Sequence, residues 1–315
     1  MIVNIIMFFT MYPVLLVLYF CFRGQYQYAD GCLFAVNMKP EWIKEPEVAA
    51  IVEKFRREMK QYFIFLLIVP LSSFLTKHMS IQLTIWMMWI LIAIVLLCLP
   101  LVHANSGLKR WKTEHCLYET EKMEHCIELK AVYEAKRELN DSADDDRHWI
   151  WGIFYYNPAD RHSMVPKKVG MGTTMNLATP LGKGSAILGA VVLIVTIPAM
   201  CIWLILDEFT PIRLAVEDEI LYAKHLNVDY EIQVEDIEHV EKITELPSWS
   251  KSSGTAMDTL EKGTFFIRNV GKCEVFLNPE NTEFLHFYAD GTDYYMSGSD
   301  DEQTEEIYQI IQNWE

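Results

Sequence analysis

Three long stretches of the sequence contain no charged residue: residues 1–22, 81–103 and 185–206. A water-soluble core does not need uncharged runs of this length. An α-helix, in contrast, needs about 20 apolar residues, at about 1.5 Å of rise each, to cross roughly 30 Å of hydrocarbon. The absence of charge therefore excludes a wholly water-soluble protein and predicts three membrane-spanning helices.

A fourth apolar stretch, residues 62–75, is shorter and is interrupted by Pro70. Lys77 and His78 follow it and can extend their side chains to the membrane interface. The five residues 76–80 then form a connector of the length found in tight helical hairpins. We therefore predict a fourth span here, with a re-entrant segment as the alternative.

The N-terminal stretch lacks any basic residue before its apolar core, and Arg23 follows it directly. A cleaved signal peptide has a basic n-region, a shorter core and a small-residue cleavage site. The segment is therefore interpreted as an uncleaved first membrane helix.

Cysteine is present but scattered, which is not typical of a disulfide framework. The seven positions are Cys21, Cys32, Cys98, Cys116, Cys126, Cys201 and Cys273.

Basic residues are unevenly distributed, and this predicts the orientation. Seven Lys and Arg lie in residues 23–60 and 12 in residues 104–184, whereas the connector 76–80 holds only Lys77. Loops rich in Lys and Arg remain cytoplasmic. We expect a multi-pass protein of the cell membrane whose N-terminus and C-terminal domain are both extracytoplasmic.

The two basic loops each contain a predicted helix. Residues 46–60 carry apolar side chains at helical spacing opposite a charged face. This pattern predicts an amphipathic helix that leads into the second span and lies on the membrane surface, with a partner-binding helix as the alternative. Its apolar positions are Val48, Ile51, Val52, Phe55 and Met59. The sequence of residues 108–139 predicts a long helix that continues from the third span. The acidic residues 140–147 are predicted to form a solvated linker.

Two His–Cys pairs in the long helix, His115–Cys116 and His125–Cys126, suggest zinc. On one helix, however, His115 and Cys126 lie about 16 Å apart, whereas zinc ligands lie within about 2.3 Å of the ion. We expect no metal site and no cofactor.

An aromatic, turn-rich segment precedes the last span, and its residues form an unusual pattern. The pattern comprises Trp151, Phe154, Tyr155, Tyr156, Asn157, Pro158, Asp160, Val165, Pro166, Lys167, Gly170, Gly172, Thr174 and Asn176, with Pro180 shortly after. Over about thirty residues it resembles a bacterial membrane-protein family that is known only as a domain of unknown function. The resemblance implies membrane association but no activity.

The residue types of this segment predict an interfacial role. Aromatic side chains such as Trp149 and Trp151 settle at the headgroup level of a membrane, and residues 157–160 form a turn. Lys167 and Lys168 are expected to meet lipid phosphates. Gly170 and Gly172 do not belong to a phosphate-binding loop, because the G-K-[ST] ending is missing. A juxtamembrane plug or interfacial loop is favoured over a small-ligand site.

The last hundred residues show the alternation of β-strands. Candidate strands are residues 219–225, 230–235, 263–269, 273–277, 284–288 and 292–296. A helix follows, with Ser299 and Glu302 as its predicted capping box and Ile307, Ile310, Ile311 and Trp314 as its apolar stripe. An antiparallel strand series closed by one helix resembles a bacterial pleckstrin-homology (PH)-like domain.

The predicted fold class is thus an α-helical membrane protein with about four spans and a C-terminal antiparallel β PH-like domain with one capping helix. Its predicted segments are residues 1–23 (first span), 24–61 (basic loop), 62–103 (helical hairpin), 104–148 (charged helix and linker), 149–184 (aromatic juxtamembrane segment), 185–207 (last span) and 208–315 (acidic domain).

Charge limits the partners of the C-terminal domain. From Glu208 onward the chain has 24 Asp and Glu against 7 Lys and Arg. Such a surface repels anionic headgroups and nucleic acid. We expect membrane lipids around the spans, a protein or peptide partner of the acidic domain, and self-association as a further possibility.

Function is predicted to be non-enzymatic, as an extracytoplasmic sensor, scaffold or regulatory module. The alternatives are an immunity or resistance factor against a secreted peptide, and a membrane enzyme of unknown chemistry. Apart from boundary residues such as His78 and His103, the predicted spans contain no His, Asp, Glu or Arg that would mark an intramembrane site. No catalytic arrangement has supporting context. Only His148, Asp160 or Asn176 would be candidates for an enzyme.

Overall fold

The computed structural model describes residues 2–24, 27–29, 31–118, 145–169, 172–268 and 270–314. Among these residues, four helices are long and apolar enough to cross a membrane: Val3–Arg23, Pro46–Leu75, Met79–Glu114 and Pro180–Phe209. The chain divides into two compact units, one of residues 1–4, 73–85 and 198–315, and one of residues 5–72 and 86–197. The predicted multi-pass helical architecture is confirmed.

The helices have the following bounds: α1 Ile2–Arg23, α2 Pro46–Ile68 with a 3₁₀ extension Val69–Leu75, α3 Met79–Glu114, α4 Pro180–Val191, a π-helical turn Val192–Thr196, and α5 Ile197–Phe209. Helix α2 starts with Pro46, whose fixed φ and missing N–H suit a first helical turn. The last span therefore combines α4, the π turn and α5, and it is longer than the predicted residues 185–206.

The helix predicted at residues 46–60 is present and leads into the second span, but its predicted position on the membrane surface is wrong. It forms one continuous helix with residues 61–68, and Val48, Phe55 and Met59 are buried in a protein core. The apolar stripe is real, but it packs on protein rather than on lipid. Because the helix runs on to Leu75 at a length sufficient to span, a fourth span is favoured over a re-entrant segment.

Aromatic residues dominate the core that α1, α2 and α3 share. The Tyr12 hydroxyl donates to the Leu67 carbonyl at 2.6 Å, and the Trp89 indole donates to the Leu66 carbonyl at 2.9 Å. Trp86 and Trp89 are buried, and Tyr19 stacks on Phe63 with ring centroids 4.1 Å apart. Tyr12 opposite Leu67 and Tyr19 opposite Phe63 make α1 and α2 antiparallel neighbours.

Helix α3 continues beyond the membrane-spanning length, as predicted, but ends at Glu114. The uninterrupted helix predicted for residues 108–139 is wrong at Cys116, which has a φ of +56°. That left-handed conformation is incompatible with an α-helix of L-residues. Residues 119–144, with His125 and Cys126, lie outside the described residues.

Short antiparallel strand pairs lie beside the helical core. Strands β1 Cys32–Leu33 and β2 Val36–Asn37 pair with each other, as do β3 Trp149–Ile150 with β4 Phe154–Tyr155 and β5 Met164–Pro166 with β6 Thr173–Met175. The aromatic segment therefore has its own hairpins.

The C-terminal domain consists of two sheets and a helix. Its elements are β7 Arg213–Glu217, β8 Ile220–His225, β9 Asn227–Gln233, β10 Ile237–Ile243, β11 Trp249–Ala256, β12 Glu261–Ile267, β13 Gly271–Leu277, β14 Phe284–Ala289, β15 Thr292–Met296 and α6 Asp301–Gln312. The sheets have the orders β7-β8-β9 and β10-β14-β15-β13-β12-β11. All pairs are antiparallel except β13 with β15.

The core of this domain lies where α6 covers strands of both sheets. Ile307 and Ile311 are buried there together with Leu221 of β8 and Phe287 of β14. The six predicted strands are present, but residues 234–235 lie in a 3₁₀ turn after β9, Glu219 and Arg268 lie in turns, and Asn269 lies outside the described residues. Strands β7, β10 and β11 had been missed. The predicted stripe of α6 is wrong at Trp314, which lies after the helix and is exposed.

The predicted capping box of α6 is displaced by one residue. Asp300, not Ser299, is the N-cap: its carboxylate accepts the Gln303 backbone N–H at 2.8 Å. The Gln303 side chain in return accepts the Ser299 backbone N–H at 2.9 Å. As in a capping box, the third helical residue returns a hydrogen bond, but to the N–H of the residue before the cap rather than to the N–H of Asp300.

Candidate functional site

Asn176 is the hydrogen-bonding centre of the aromatic segment and is fully buried. Its Oδ1 accepts the backbone N–H groups of Asn157 at 3.1 Å and Ala178 at 3.0 Å. Its Nδ2 donates to the carbonyls of Asn157 and Asp160, both at 2.9 Å. All its side-chain capacity is thus used to hold the chain, which gives Asn176 a structural role.

The turn predicted at residues 157–160 is confirmed. The Asn157 side chain accepts the Ala159 backbone N–H at 2.9 Å, which is an Asx-turn. Asp160 accepts the Tyr155 hydroxyl at 3.2 Å and the His162 backbone N–H at 2.9 Å. Burial raises the pKa of Asp160, but the hydrogen bonds from His162 and Tyr155 outweigh it and keep that pKa below its ordinary value.

The aromatic side chains do not form one interfacial cluster. Trp149 and Tyr155 are buried with Val165 in a small core, with ring centroids 5.3 Å apart. Trp151, Phe154 and Tyr156 are exposed. The aromatic side chains of this segment therefore divide into buried rings and exposed rings. Only the exposed rings are available to a membrane.

The remaining residues of the pattern are at the surface or in turns. Pro158, Pro166 and Lys167 are exposed, and Thr174 of β6 pairs with Val165 of β5. Gly172 has a φ of +109°, a conformation open to glycine, and its carbonyl accepts the Lys167 N–H at 3.0 Å. Gly170 lies outside the described residues.

The predicted contact of Lys168 with lipid phosphate is wrong. Its side chain is 2% exposed, and its ammonium lies 3.0 Å from Asp146 Oδ1. The Lys112 ammonium, also fully buried, lies 3.2 Å from Asp146 Oδ2. Asp146 further accepts the Asn37 backbone N–H at 3.0 Å, so that one carboxylate joins β2, α3 and the aromatic segment.

A second carboxylate, Glu208, forms a junction at the end of α5. Its side chain is fully buried and accepts the backbone N–H groups of Met79 at 3.2 Å and Ser80 at 2.5 Å. These N–H groups belong to the first turn of α3. The N–H groups of a first turn have no carbonyl acceptor within their own helix. The positive end of the helix dipole adds to the stabilisation of the carboxylate.

The same residue is also attached to the C-terminal domain. The Thr259 hydroxyl, between β11 and β12, donates to the Glu208 carbonyl at 2.6 Å, and the His78 ring Nδ1 lies 3.2 Å from the carboxylate. The cleft beside them has a volume of about 180 Å³. This volume is below the size of typical ligand pockets, roughly 300–1,000 Å³. The junction is therefore better suited to connecting α3, α5 and the C-terminal domain than to binding a ligand.

Asp207 and His225 form a neighbouring buried pair. The Thr255 hydroxyl donates to Asp207 at 3.3 Å, and the His225 Nδ1 lies 3.8 Å from the other oxygen of Asp207, beyond hydrogen-bond distance. Burial of the imidazole, with Lys262 adding to the effect, lowers the pKa of His225. The imidazole is therefore neutral near pH 7.

Sequence reasoning had missed Asp146, Glu208 and His225. Glu208 had been counted only as part of the acidic domain, and Asp207 only as the last residue of the predicted segment 185–207, although two carboxylates directly after an apolar run are a visible signal. Asp146 is one of three consecutive aspartates, and nothing in the local sequence distinguishes it. Among the described residues no three His, Cys, Asp or Glu side chains are grouped as metal ligands.

Two family models match the chain, in agreement with the resemblances seen in the sequence. Residues 158–183 match the "Family of unknown function (DUF5808)", and residues 212–309 match the family described as "Bacterial PH domain". No curated protein and no solved structure is significantly similar to the chain. The chain is therefore a multi-pass, membrane-type protein that carries a segment of unknown function followed by a bacterial PH domain.

Proposed function

We propose that this protein is a non-enzymatic membrane module whose PH domain is an extracytoplasmic binding unit, connected to the spanning helices through Glu208. The observation that carries the proposal is the double attachment of Glu208, by its carboxylate to the first turn of α3 and by its carbonyl to Thr259 of the PH domain. A ligand that displaces the Thr259 loop thereby alters the cap of a spanning helix.

Two contacts support the proposed topology. Asn4, at the start of α1, donates to the Ser73 carbonyl at 2.8 Å, and Glu208, at the end of α5, binds the start of α3. Both contacts fit an N-terminus, a hairpin connector and a PH domain on one side of the membrane. The excess of Lys and Arg in the other loops supports the assignment of this side to the outside.

The acidity of the domain supports a cationic partner. Its surplus of carboxylates includes Glu238 and Glu241, which are exposed on the edge strand β10. An acidic edge disfavours association with anionic headgroups and with other strand edges. A basic protein segment or peptide is the partner class that fits this surface.

Thiol accessibility in intact cells tests the topology. The native Cys273 is unsuitable, because it is fully buried and burial raises its pKa to about 11. A cysteine introduced at the exposed Glu280 should react with a membrane-impermeant maleimide, whereas the native, exposed Cys116 should react only after cell lysis. The reverse pattern would reject an extracytoplasmic PH domain.

Binding of an oligolysine peptide tests the partner class. The full-length protein in phosphatidylcholine nanodiscs should bind the peptide with an affinity that falls as salt rises, because the attraction is screened. The Glu238→Gln/Glu241→Gln variant should bind more weakly. Absence of binding at low salt would argue against a cationic partner.

A further inference from the structure

A cavity of about 650 Å³ opens between the C-terminal end of α1 and the middle of α2. This volume lies within the range of small-molecule and cofactor sites. Neither the segment of unknown function nor the PH domain contributes to it, since all its lining residues come from the first two helices. The cavity is therefore separate from the Glu208 junction and from the Asn176 turn.

Three basic side chains line the cavity: Arg23 from α1, and Arg56 and Lys60 from α2. Arg56 donates to Glu53 at 2.9 Å in an exposed pair. Arg23 and Lys60 make no ion pair within the described part of the chain. The cavity thus has a net positive charge and suits an anion.

The other wall is apolar. The stacked rings of Tyr19 and Phe63 lie on one side, and the buried Phe55 and Met59 belong to the helical core beneath. On α2, Phe55, Met59 and Phe63 follow each other at intervals of four residues, so that they share one face. Arg56 and Lys60 follow each other at the same spacing beside this face, and Ile64 continues their row. Two cations therefore lie next to the apolar face.

The cavity lies along α1 and α2 at the level where their apolar, membrane-spanning parts begin or end. Arg23 is the last residue of the apolar helix α1, and Lys60 is the last charged residue before the apolar end of α2. Basic side chains at the end of a span extend to the headgroup level. The cations are therefore at the depth of lipid phosphates, and Tyr19, Phe63 and Ile64 are at the depth where acyl chains begin.

We propose that this cavity is a binding site for one anionic phospholipid. The phosphate lies against Arg23 and Lys60, with Arg56 at the rim, and an acyl chain follows Tyr19, Phe63 and Ile64. A free anion leaves the apolar wall exposed to water, and a zwitterionic lipid gains less from the surplus of positive charge. Under the proposed topology the site is in the inner leaflet, whose anionic lipids attract juxtamembrane cations.

Native mass spectrometry of the detergent-solubilised full-length protein tests the proposal. Phosphatidylglycerol is titrated against the wild type and the Arg23→Gln/Lys60→Gln variant, with phosphatidylcholine as the uncharged-headgroup comparison. Lys54→Gln/Arg57→Gln is the matched control, because it removes two exposed cations of the same helix that do not line the cavity. Arg23→Lys/Lys60→Arg retains both charges.

The wild type should retain one phosphatidylglycerol in preference to phosphatidylcholine. Loss of two juxtamembrane cations should weaken this binding about 30-fold. The matched control and the charge-retaining variant should bind as the wild type does, and inorganic phosphate should not displace the lipid.

Equal retention of the two lipids by the wild type would overturn the proposal, as would equal loss of affinity in the matched control. Displacement of the lipid by an equal concentration of inorganic phosphate would show an anion site in which the acyl chain has no role. That result would also reject the proposal. If the double Gln variant does not fold, the single variants Arg23→Gln and Lys60→Gln decide, each with an expected loss of about fivefold.

Discussion

Asn157 and Asn176 hold each other by two reciprocal hydrogen bonds: the Asn157 N–H donates to the Asn176 Oδ1 at 3.1 Å, and the Asn176 Nδ2 donates to the Asn157 carbonyl at 2.9 Å. The two residues lie 19 positions apart. These hydrogen bonds close the aromatic segment into a loop. The backbone at residue 182 packs closely against this loop and requires glycine, because a Cβ there would lie 2.0 Å from the Asn176 carbonyl oxygen. The residues that make this segment recognisable in the sequence therefore serve its fold.

Replacement of Asn176 by Ala is expected to destabilise the segment by about 2–4 kcal/mol, since several buried polar groups lose their partners at once. Thermal unfolding of the purified protein measures the effect. Thr173→Ala is the control, because Thr173 is an exposed neighbour in β6. A similar stability of the two variants would mean that Asn176 has a role other than holding the turn.

Replacement of Glu208 by Gln is expected to lower stability by about 1–2 kcal/mol, because the charged cap at the positive end of α3 is lost. Hydrogen exchange at the Met79 and Ser80 amides should become faster in the variant. Glu245→Gln removes an exposed carboxylate of the same domain and is expected to leave this exchange unchanged. Unchanged protection in Glu208→Gln would contradict the proposed connection.

Replacement of Asp146 by Asn leaves the buried ammonium groups of Lys112 and Lys168 without their carboxylate. Removal of one partner from a buried charge cluster costs about 3–5 kcal/mol. Asp145→Asn is the comparison, because Asp145 pairs with the exposed Arg147 and such pairs contribute about 1 kcal/mol or less. The unfolding midpoints should therefore differ clearly between these adjacent substitutions, and equal midpoints would contradict a buried cluster.

The PH domain is expected to lose stability as the pH falls below about 6.5, the ordinary pKa of histidine. The pKa of His225 is lowered in the folded state by its burial and by Lys262, while Asp207 and Asp229 oppose the effect. Between the lowered pKa and 6.5 the unfolded state binds more protons, so that stability rises with pH in this window. Unfolding followed from pH 5 to pH 8 measures it.

His225→Leu should remove the part of the pH dependence that falls in this window. Persistence of the full dependence in the variant would assign it to other groups.

Much of the architecture could be predicted because it depends on properties that are local in sequence. Span lengths follow from runs of uncharged residues, and strands such as β14 and β15 follow from alternation and from the Asp290–Gly291 turn. Strand β11, with the sequence WSKSSGTA, has no such alternation. It is an edge strand held by backbone hydrogen bonds to β12, and these depend little on side-chain type.

The individual contacts of the site could not be predicted in the same way. The parallel pairing of β13 with β15, the cap of α3 by Glu208 and the buried ion pairs of Asp146 all join residues that are distant in the sequence. Arg23, Arg56 and Lys60 had been recognised only as basic residues of a loop. The four-residue spacing of Arg56 and Lys60 on α2 was visible, but not that Tyr19 of α1 packs on Phe63 and that Arg23 lines the same cavity.

By itself the sequence determined that the chain enters a membrane and ends in an acidic β domain, because hydrophobicity, charge and alternation act over neighbouring residues. The tertiary structure decided which charged groups are buried and what each one holds. Lys168 is the clearest case. Its positive charge and its position in the sequence suggested a lipid contact, whereas the fold places its side chain against Asp146. Burial of a charge depends on whether a counter-charge from a distant segment reaches it, and only the folded chain establishes that.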